Sequence, residues 1–594
     1  MGSGIVVGTD QCTPGDRSQK IIYHGDTEGT EFSFSLRFSV ISVPPWLIFI
    51  PVHGPQAHVT LRRNRMARIG ISLLLVLCLV PAVVAQQPAK GPTVIPAARH
   101  DTSPPMRELM RGVRPVRDTG RQQALEMEEP PARHIPPAFD PVVQSSRGPA
   151  QQAQIVMSFE GITQGGAVPP DTNGAPGING QYVQTTNFLY AVFDKSTGNV
   201  TFGPYYVKSL FQGFGGQCET EDAMSDPTVR FDRIAGRWII QQIAGEYGFT
   251  PPLFICIAVS TTSDATGAYY RYAIPYGNYL PDYPKLAVWP DAYYLTTDLY
   301  LNWVFQATSA CALDRGSMLQ GGPASAICFQ TGSDVFHFLP ADLDGVLPPP
   351  RGAPNFIVGN VSGSNHALNL FKFHVDFATP QNSTFTGPFS IPVAPYTVAC
   401  WSDCVQQEGT STLLYALGQL TMYRLAYRNF VPPTVPATAS QAAHQSMVVT
   451  HTVQNNDGSY GIRWYELRAL ENGDFTAFQQ STFTPDSNSR WMGSIAMDKR
   501  GDMALGYSIA SSTMYPSINF TGRLVTDPPN TMEQETSIMA GTASQSYSDR
   551  WGDYSSMVPD PADDCLLWYT TEYLQSGSQN WRTRIVSLKF SACH

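Results

Sequence analysis

Two stretches of this chain run through nearly the same pattern 60 residues apart: "RWMGSIAMDKRGDMALGYS" from Arg490 and "RWGDYSSMVPDPADDCLLWYT" from Arg550. Each opens on Arg-Trp, passes through small and apolar residues into an Asp/Pro/Gly turn, and resumes as an apolar run ending in Tyr and Ser or Thr. A strand, a tight turn and a second strand produce this pattern. Related stretches begin at Pro169 ("PPDTNGAPGINGQYVQTTN"), Ser225 ("SDPTVRFDRIAGRWIIQQ") and Asp282 ("DYPKLAVWPDAYYLTT"). Looser ones begin at Ala341 ("ADLDGVLPPPRGAPNFIVGN") and run from Tyr423 to Gln454 ("YRLAYRNF", "HQSMVVTHTVQ"). A repeat of about seven units, each roughly 55–80 residues, follows.

Further strand pairs lie between these openings. "LFICIAVSTTSDATGAYYRYAI" alternates around Asp264–Gly267, and "MVVTHTVQNNDGSYGIRWYELRAL" turns at Asn456-Asp457-Gly458, a strong hairpin signal. Four strands per unit and about seven units describe an all-β β-propeller of seven four-stranded blades over residues 155–594. A pair of β-sandwiches would lack the recurring motif, and no sustained 3.6-residue period supports a helical solenoid. The low charged fraction, 14%, beside 49 Gly and 48 Pro suits a turn-rich β protein. "AQIVMSFEGI" (Ala153–Ile162) is expected to close the ring beside strands near Arg582–Phe590.

The segment "RRNRMARIGISLLLVLCLVPAVVAQQPAK" has the basic start, apolar centre and small residues of a secretory signal peptide, assigned to 66–85. Met66 then reads as the true start, with residues 1–65 an unstructured gene-model extension. The apolar run is short for a membrane span, so no transmembrane anchor is expected after cleavage. Residues 86–154, rich in Pro, Arg and Gln, read as a disordered spacer. Eight cysteines follow, Cys218, Cys256, Cys311, Cys328, Cys400, Cys404, Cys565 and Cys593. An even number in near-neighbour pairs suits disulfides in a secreted or periplasmic protein, with neighbour pairing the simplest connectivity. A zinc site at Cys400 and Cys404 is the competing reading, without a second ligand pair close by. The formal charge of −10 argues against a nucleic-acid partner.

In a propeller the innermost strands line the axis, so the motif starts gather polar groups at one mouth. The candidates are Asp171, Asp226, Asp282 and Asp553 as catalytic carboxylates, with Lys285, Arg428, His444, Arg490, Arg550, Tyr283 and Tyr554 as ligand-binding groups; Arg424 is the alternative to Arg428. Arg428, Arg490 and Arg550, from three successive blades, are expected to converge on one anion, because a guanidinium matches a carboxylate or sulfate in bidentate fashion. Two carboxylates flanking a sugar are what glycoside hydrolysis needs. The bland reading gives the same residues structural work: Asp caps turns, and Arg-Trp pairs lock neighbouring blades. Asp342 and Asp344 in "DLDGV" read as a turn, with a structural calcium ion as the alternative; no other cofactor is expected.

The turns "TSDATGAYY" and "NNDGSYGIRWY" are similar to the Asp-box of secreted bacterial sialidase-like, BNR-repeat propellers. That resemblance implies Arg428, Arg490 and Arg550 as a sugar-carboxylate-binding trio and Asp171 or Asp226 as the acid. The expected function is recognition or cleavage of an extracellular, anionic polysaccharide or glycoprotein glycan at the axial mouth, hydrolase-like if catalytic. The alternative is a non-catalytic adhesion or scaffold propeller.

Overall fold

The computed structural model describes residues 19–20, 35–36, 90–117, 122–123, 135–163, 167–220, 223–246, 249–333, 335–430, 443–469, 473–576 and 581–594. The chain divides into two units, Met1–Val83 and Val84–His594. In the first, Gln19–Lys20 pairs antiparallel with Ser35–Leu36. The signal segment at 66–85 lies outside the described residues.

In the second unit the strands pair as antiparallel meanders. The first comprises Asn173–Pro176, Gln181–Thr186, Leu189–Asp194 and Val200–Tyr206. The second begins with Ala223–Asp232, the third with Leu280–Val288, the fourth with Leu339–Asp344 and the fifth with Met422–Phe430. The sixth begins with Ser489–Met497 and the last with Ser556–Pro559. The fourth and fifth share one ten-stranded sheet through a parallel pairing of their first strands. Divided at that seam, the sheets match the repeat units read from the motif. Successive first strands touch, and the last touches the first, so they surround an axis as inner strands of a β-propeller. The ring closes as expected: Ala153–Thr163, from the N-terminal side, pairs with Arg582–Phe590 as fourth strand of the last meander.

Local chemistry explains the motif. The Asp ending an inner strand accepts the amides of the turn that follows. Asp232 Oδ1 takes the N–H groups of Ile234 and Ala235, both at 3.0 Å. Asp498 Oδ1 takes that of Arg500 at 2.8 Å, and Asp560 Oδ1 that of Ala562 at 2.8 Å. The Trp of the two echoing Arg-Trp pairs packs between neighbouring sheets: Trp491 and Trp551 are fully buried with ring centroids 5.6 Å apart.

Among the described residues, four disulfides join near neighbours: Cys218–Cys256, Cys311–Cys328, Cys400–Cys404 and Cys565–Cys593. Cys400 and Cys404 are thus bonded to each other rather than poised as zinc ligands. Four disulfides fit an oxidising compartment. No described helix is long and apolar enough to cross a membrane.

The segment expected to be disordered, 86–154, is ordered over much of its described length. Lys90–Pro96 adds a fifth strand outside the third meander, and Arg99–Thr102 one outside the second. The short helix Met106–Leu109 and Met110 bury methionines beside Phe211 and Phe214. Val143–Gln144 joins the fifth meander. Apolar content misjudged this stretch because an outer strand gains order from backbone hydrogen bonds to an existing sheet edge.

Candidate functional site

The inner strands share an irregularity that creates the site. Register shifts fall between Ser225 and Thr228, Asp282 and Lys285, and Trp491 and Ser494. Within these bulges Asp226, Tyr283 and Met492 take left-handed backbone, with φ of 52°, 51° and 52°. Asp171 and His337 adopt it before the first and fourth inner strands, at 45° and 56°. Such backbone is unfavourable for residues with a Cβ, and bulges re-aim side chains next to functional sites.

The side chains form one buried cluster. Asn187 donates to Asp171 Oδ2 at 2.5 Å and accepts the Asp226 N–H at 2.9 Å. The Asp553 N–H donates to Asp171 Oδ1 at 2.7 Å. Arg550 Nη2 reaches both Asp553 oxygens at 3.0 Å. Lys285 Nζ sits 3.3 Å from the Tyr283 ring centroid and 3.9 Å from that of Tyr554. Asp282 is half-buried and accepts the Tyr283 N–H at 2.9 Å. Among the described residues, Lys285 Nζ, Asp226 Oδ2 and the hydroxyls of Tyr283 and Tyr554 are buried without a hydrogen-bond partner.

Burial dominates the electrostatics. It holds Asp171 well above the usual carboxylate range, with the charges of Asp553 and Asp226 adding to the effect. Asp226 is raised by burial while Lys285 opposes. Burial, then Asp226, pushes Asp282 up to about 8. Burial pulls Lys285 down to about 8 against the surrounding carboxylates. Glu572, whose Oε1 accepts the Gly552 N–H, is pushed up to about 8 by burial. A protonated carboxylic acid beside an amine that titrates near neutrality is the equipment of general acid–base chemistry.

Above the cluster lies a loop between the fourth and fifth meanders. Trp401, inside the Cys400–Cys404 bridge, stacks on His337 at 5.9 Å, and His337 meets Tyr283 edge-on at 5.2 Å. The guanidinium of Arg550 lies 5.4 Å from the Tyr415 ring centroid. The Tyr415 N–H donates to the Asp549 carbonyl at 3.0 Å, and Gln407 and Gln545 exchange two hydrogen bonds. The loop thus reaches the segment leading into the last inner strand and roofs the axis, which is why the cluster is buried.

Asp171, Asp226, Asp282, Asp553, Lys285, Arg550, Tyr283 and Tyr554 are therefore brought together. Three of the sequence candidates lie elsewhere. Arg428 forks onto Asp564, both contacts at 2.9 Å, at the end of its strand away from the register break. Arg490 forks onto Glu535 at 2.7 and 3.0 Å and also meets Asp486. His444 stacks on Phe430, paired with it beyond Arg428. The expected convergence of three arginines is corrected: Arg490 and Arg550 stand two and four residues before Met492 and Tyr554, so they are not at equivalent positions. Asp342 and Asp344 contact Arg230 and Arg424 rather than presenting oxygens to a calcium ion. No group of described His, Cys, Asp or Glu residues is arranged to hold a metal.

Sequence reasoning missed Asn187, Glu572, Trp401 and the His337–Asp298 pair. Aligning "HFLPADL" under "DPTVRFD" and "YPKLAVW" would have placed His337 level with Asp226 and Tyr283. Nothing local marks Trp401.

The raised carboxyls make stability depend on pH. Asp282 and Glu572 titrate near 8, and burial pushes Asp498 and Glu533 up to about 7. Each acid is raised above its unfolded value, so its contribution is complete below that value and is lost as pH rises through the folded one. Lys285 acts oppositely, but only above its own value near 8. Tm is expected to fall between about pH 5 and about pH 8. Thermal melts at both values check this, and a Tm that rises over that interval would refute it.

No protein-family model matches the chain, and a comparison with curated proteins finds no match. Among solved structures, the chain is similar to the WD40 domain of SCAP from fission yeast, with 6% identity, 70% of this chain and 82% of that one covered, and a TM-score of 0.32. It is also similar to an exo-β-1,3-galactanase from Clostridium thermocellum, with 9% identity, 74% and 97% coverage, and a TM-score of 0.30. A third is a polysaccharide lyase of family PL25, an ulvan lyase, with 10% identity, 75% and 82% coverage, and a TM-score of 0.23. Likenesses this distant carry no argument about activity. The sialidase-like expectation is supported as far as propeller-like architecture and no further.

Proposed function

We propose that this is an exported propeller that recognises or cleaves an extracellular glycan at the roofed axial cluster. The observation that carries the reading is the set of unpartnered buried atoms: Asp226 Oδ2, Lys285 Nζ and the Tyr283 and Tyr554 hydroxyls. An unpaired buried polar group costs about 1–3 kcal/mol, and these four belong to one cluster. Strained backbone that aims side chains at one place is a further mark of a functional site. In this reading Asp171 supplies a proton, Asp226 with Lys285 accepts or stabilises charge, and the two tyrosines pack against the sugar once the Trp401 loop lifts.

A non-catalytic adhesion propeller is the second reading, favoured by Arg428 and Arg490, which behave as locks between elements. Purified protein incubated with neutral and acidic polysaccharides, followed for released or unsaturated sugar, separates the two. Product that drops at least about a hundredfold in Asp226→Asn and in Lys285→Met is the expected result. Arg107→Ala, which removes exposed contacts with Asp264 and Thr266, serves as control. No product and no binding on any polymer would end the glycan reading.

A further inference from the structure

Resting on that reading, we infer that His337, oriented by Asp298, is a further catalytic residue of the axial site, the acceptor of the proton released as the glycan is cleaved. Both side chains are buried. Asp298 is itself fixed: its Oδ1 receives the Thr308 hydroxyl at 2.5 Å and the His337 N–H at 3.2 Å. Its Oδ2 is in ion-pair contact with His337 Nδ1. Lone pairs on both atoms would repel, so in the neutral ring Nδ1 carries the proton and Nε2 keeps its lone pair. A carboxylate that holds an imidazole in this tautomer readies it to take a proton and stabilises the imidazolium that forms.

The placement suits that role. His337 holds left-handed backbone, with φ of 56°, and the Thr421 hydroxyl donates to its carbonyl at 3.2 Å. Its ring meets that of Tyr283 at 5.2 Å and lies under Trp401 of the roof, 5.9 Å away. Nε2 is buried without a hydrogen-bond partner among the described residues, as is the neighbouring Tyr283 hydroxyl. In the cleavage step Nε2 takes a proton from water or from a ring carbon of the sugar. The electron pair left behind joins the water oxygen to the anomeric carbon, or forms a carbon–carbon double bond. In either course the bond to the leaving oxygen breaks and that oxygen takes the proton of Asp171. The imidazolium then returns a proton to the Asp171 carboxylate through solvent, and Asp226 and Lys285 are left to stabilise charge.

The test follows cleavage of a polysaccharide panel by the full chain, with reducing ends and ultraviolet absorbance separating the water course from the double-bond course. His337→Ala and Asp298→Asn are expected to lower kcat at least about a hundredfold with KM little changed. Added imidazole should restore part of the His337→Ala rate, and pyrazole, of the same shape but a far weaker base, should not. Rescue by both compounds or by neither, or a kcat within about threefold of the parent's, would overturn the inference and leave the glycan reading standing. Should His337→Ala fail to melt cooperatively, the nitrogen chemical shifts of labelled histidines in the parent decide. A ring protonated at Nδ1 alone, absent from His337→Gln, is expected, and protonation at Nε2 alone would overturn the inference. Binding of a polymer with no cleavage of any would also overturn it alone, and neither binding nor cleavage would overturn both.

Discussion

Replacing Asp342 with alanine is expected to cost about 3–5 kcal/mol of folding stability. Asp342 Oδ2 receives Arg230 from the second inner strand at 2.6 Å and Arg424 Nε from the fifth at 2.9 Å. Its other oxygen accepts the Val288 N–H of the third at 2.9 Å. Arg424 continues the chain of bonds to the Met557 carbonyl of the last inner strand at 3.0 Å and to Asp344. Four inner strands thus meet at one carboxylate, a fifth joins through Arg424, and every member is nearly inaccessible to solvent. Removing it leaves Arg230 buried without its counter-charge and Arg424 with Asp344 alone, a loss that a cavity alone would not produce. Denaturant titration measures the effect. A loss below about 1 kcal/mol, the range of an exposed pair, would show that the carboxylate does not hold the axis together.

Deleting Ala153–Thr163 is expected to abolish cooperative folding of the ring. This strand arrives from the far end of the chain and covers the edge of Arg582–Phe590. Glu160 meets Arg582 at 3.0 Å and Arg584 at 2.8 Å. The Ile162 N–H donates to Gln184 Oε1 at 2.6 Å, and Gln184 also bonds Thr570 and Thr583, tying the first meander to the last. Without the strand an apolar edge lies open and the ring loses its closure, the condition under which sheet edges pair with other chains. Circular dichroism melts and sedimentation of the deletion variant test this. A soluble monomer melting within a few degrees of the parent would refute it.

The contrast between Asp342 and Asp226 separates architecture from site. Both are buried aspartates near the axis. Asp342 has guanidinium partners and a backbone amide on its two oxygens, whereas Asp226 keeps one oxygen unpartnered beside an amine without a hydrogen bond. Stability is therefore expected to respond to the first and ligand binding to the second.

The sequence by itself determined what depends on neighbours within about ten residues: alternation, turn chemistry and hairpin spacing. Strands, Asp-capped turns and the repeat were legible for that reason, and so was the pairing of cysteines with their nearest neighbours in sequence. Asp171, Asp226, Asp282, Lys285, Tyr283, Asp553 and Tyr554 were legible as an axial set because each stands at the start of an inner strand. Partner choice was not. Arg428 finds Asp564 136 residues away and Arg490 finds Glu535 45 residues away. The roof over the axis brings Trp401 to His337, and the N-terminal strands attach to edges formed far along the chain. Long side chains and edge strands take whatever complementary group the neighbouring sheet presents. That offset exists only once the ring has closed.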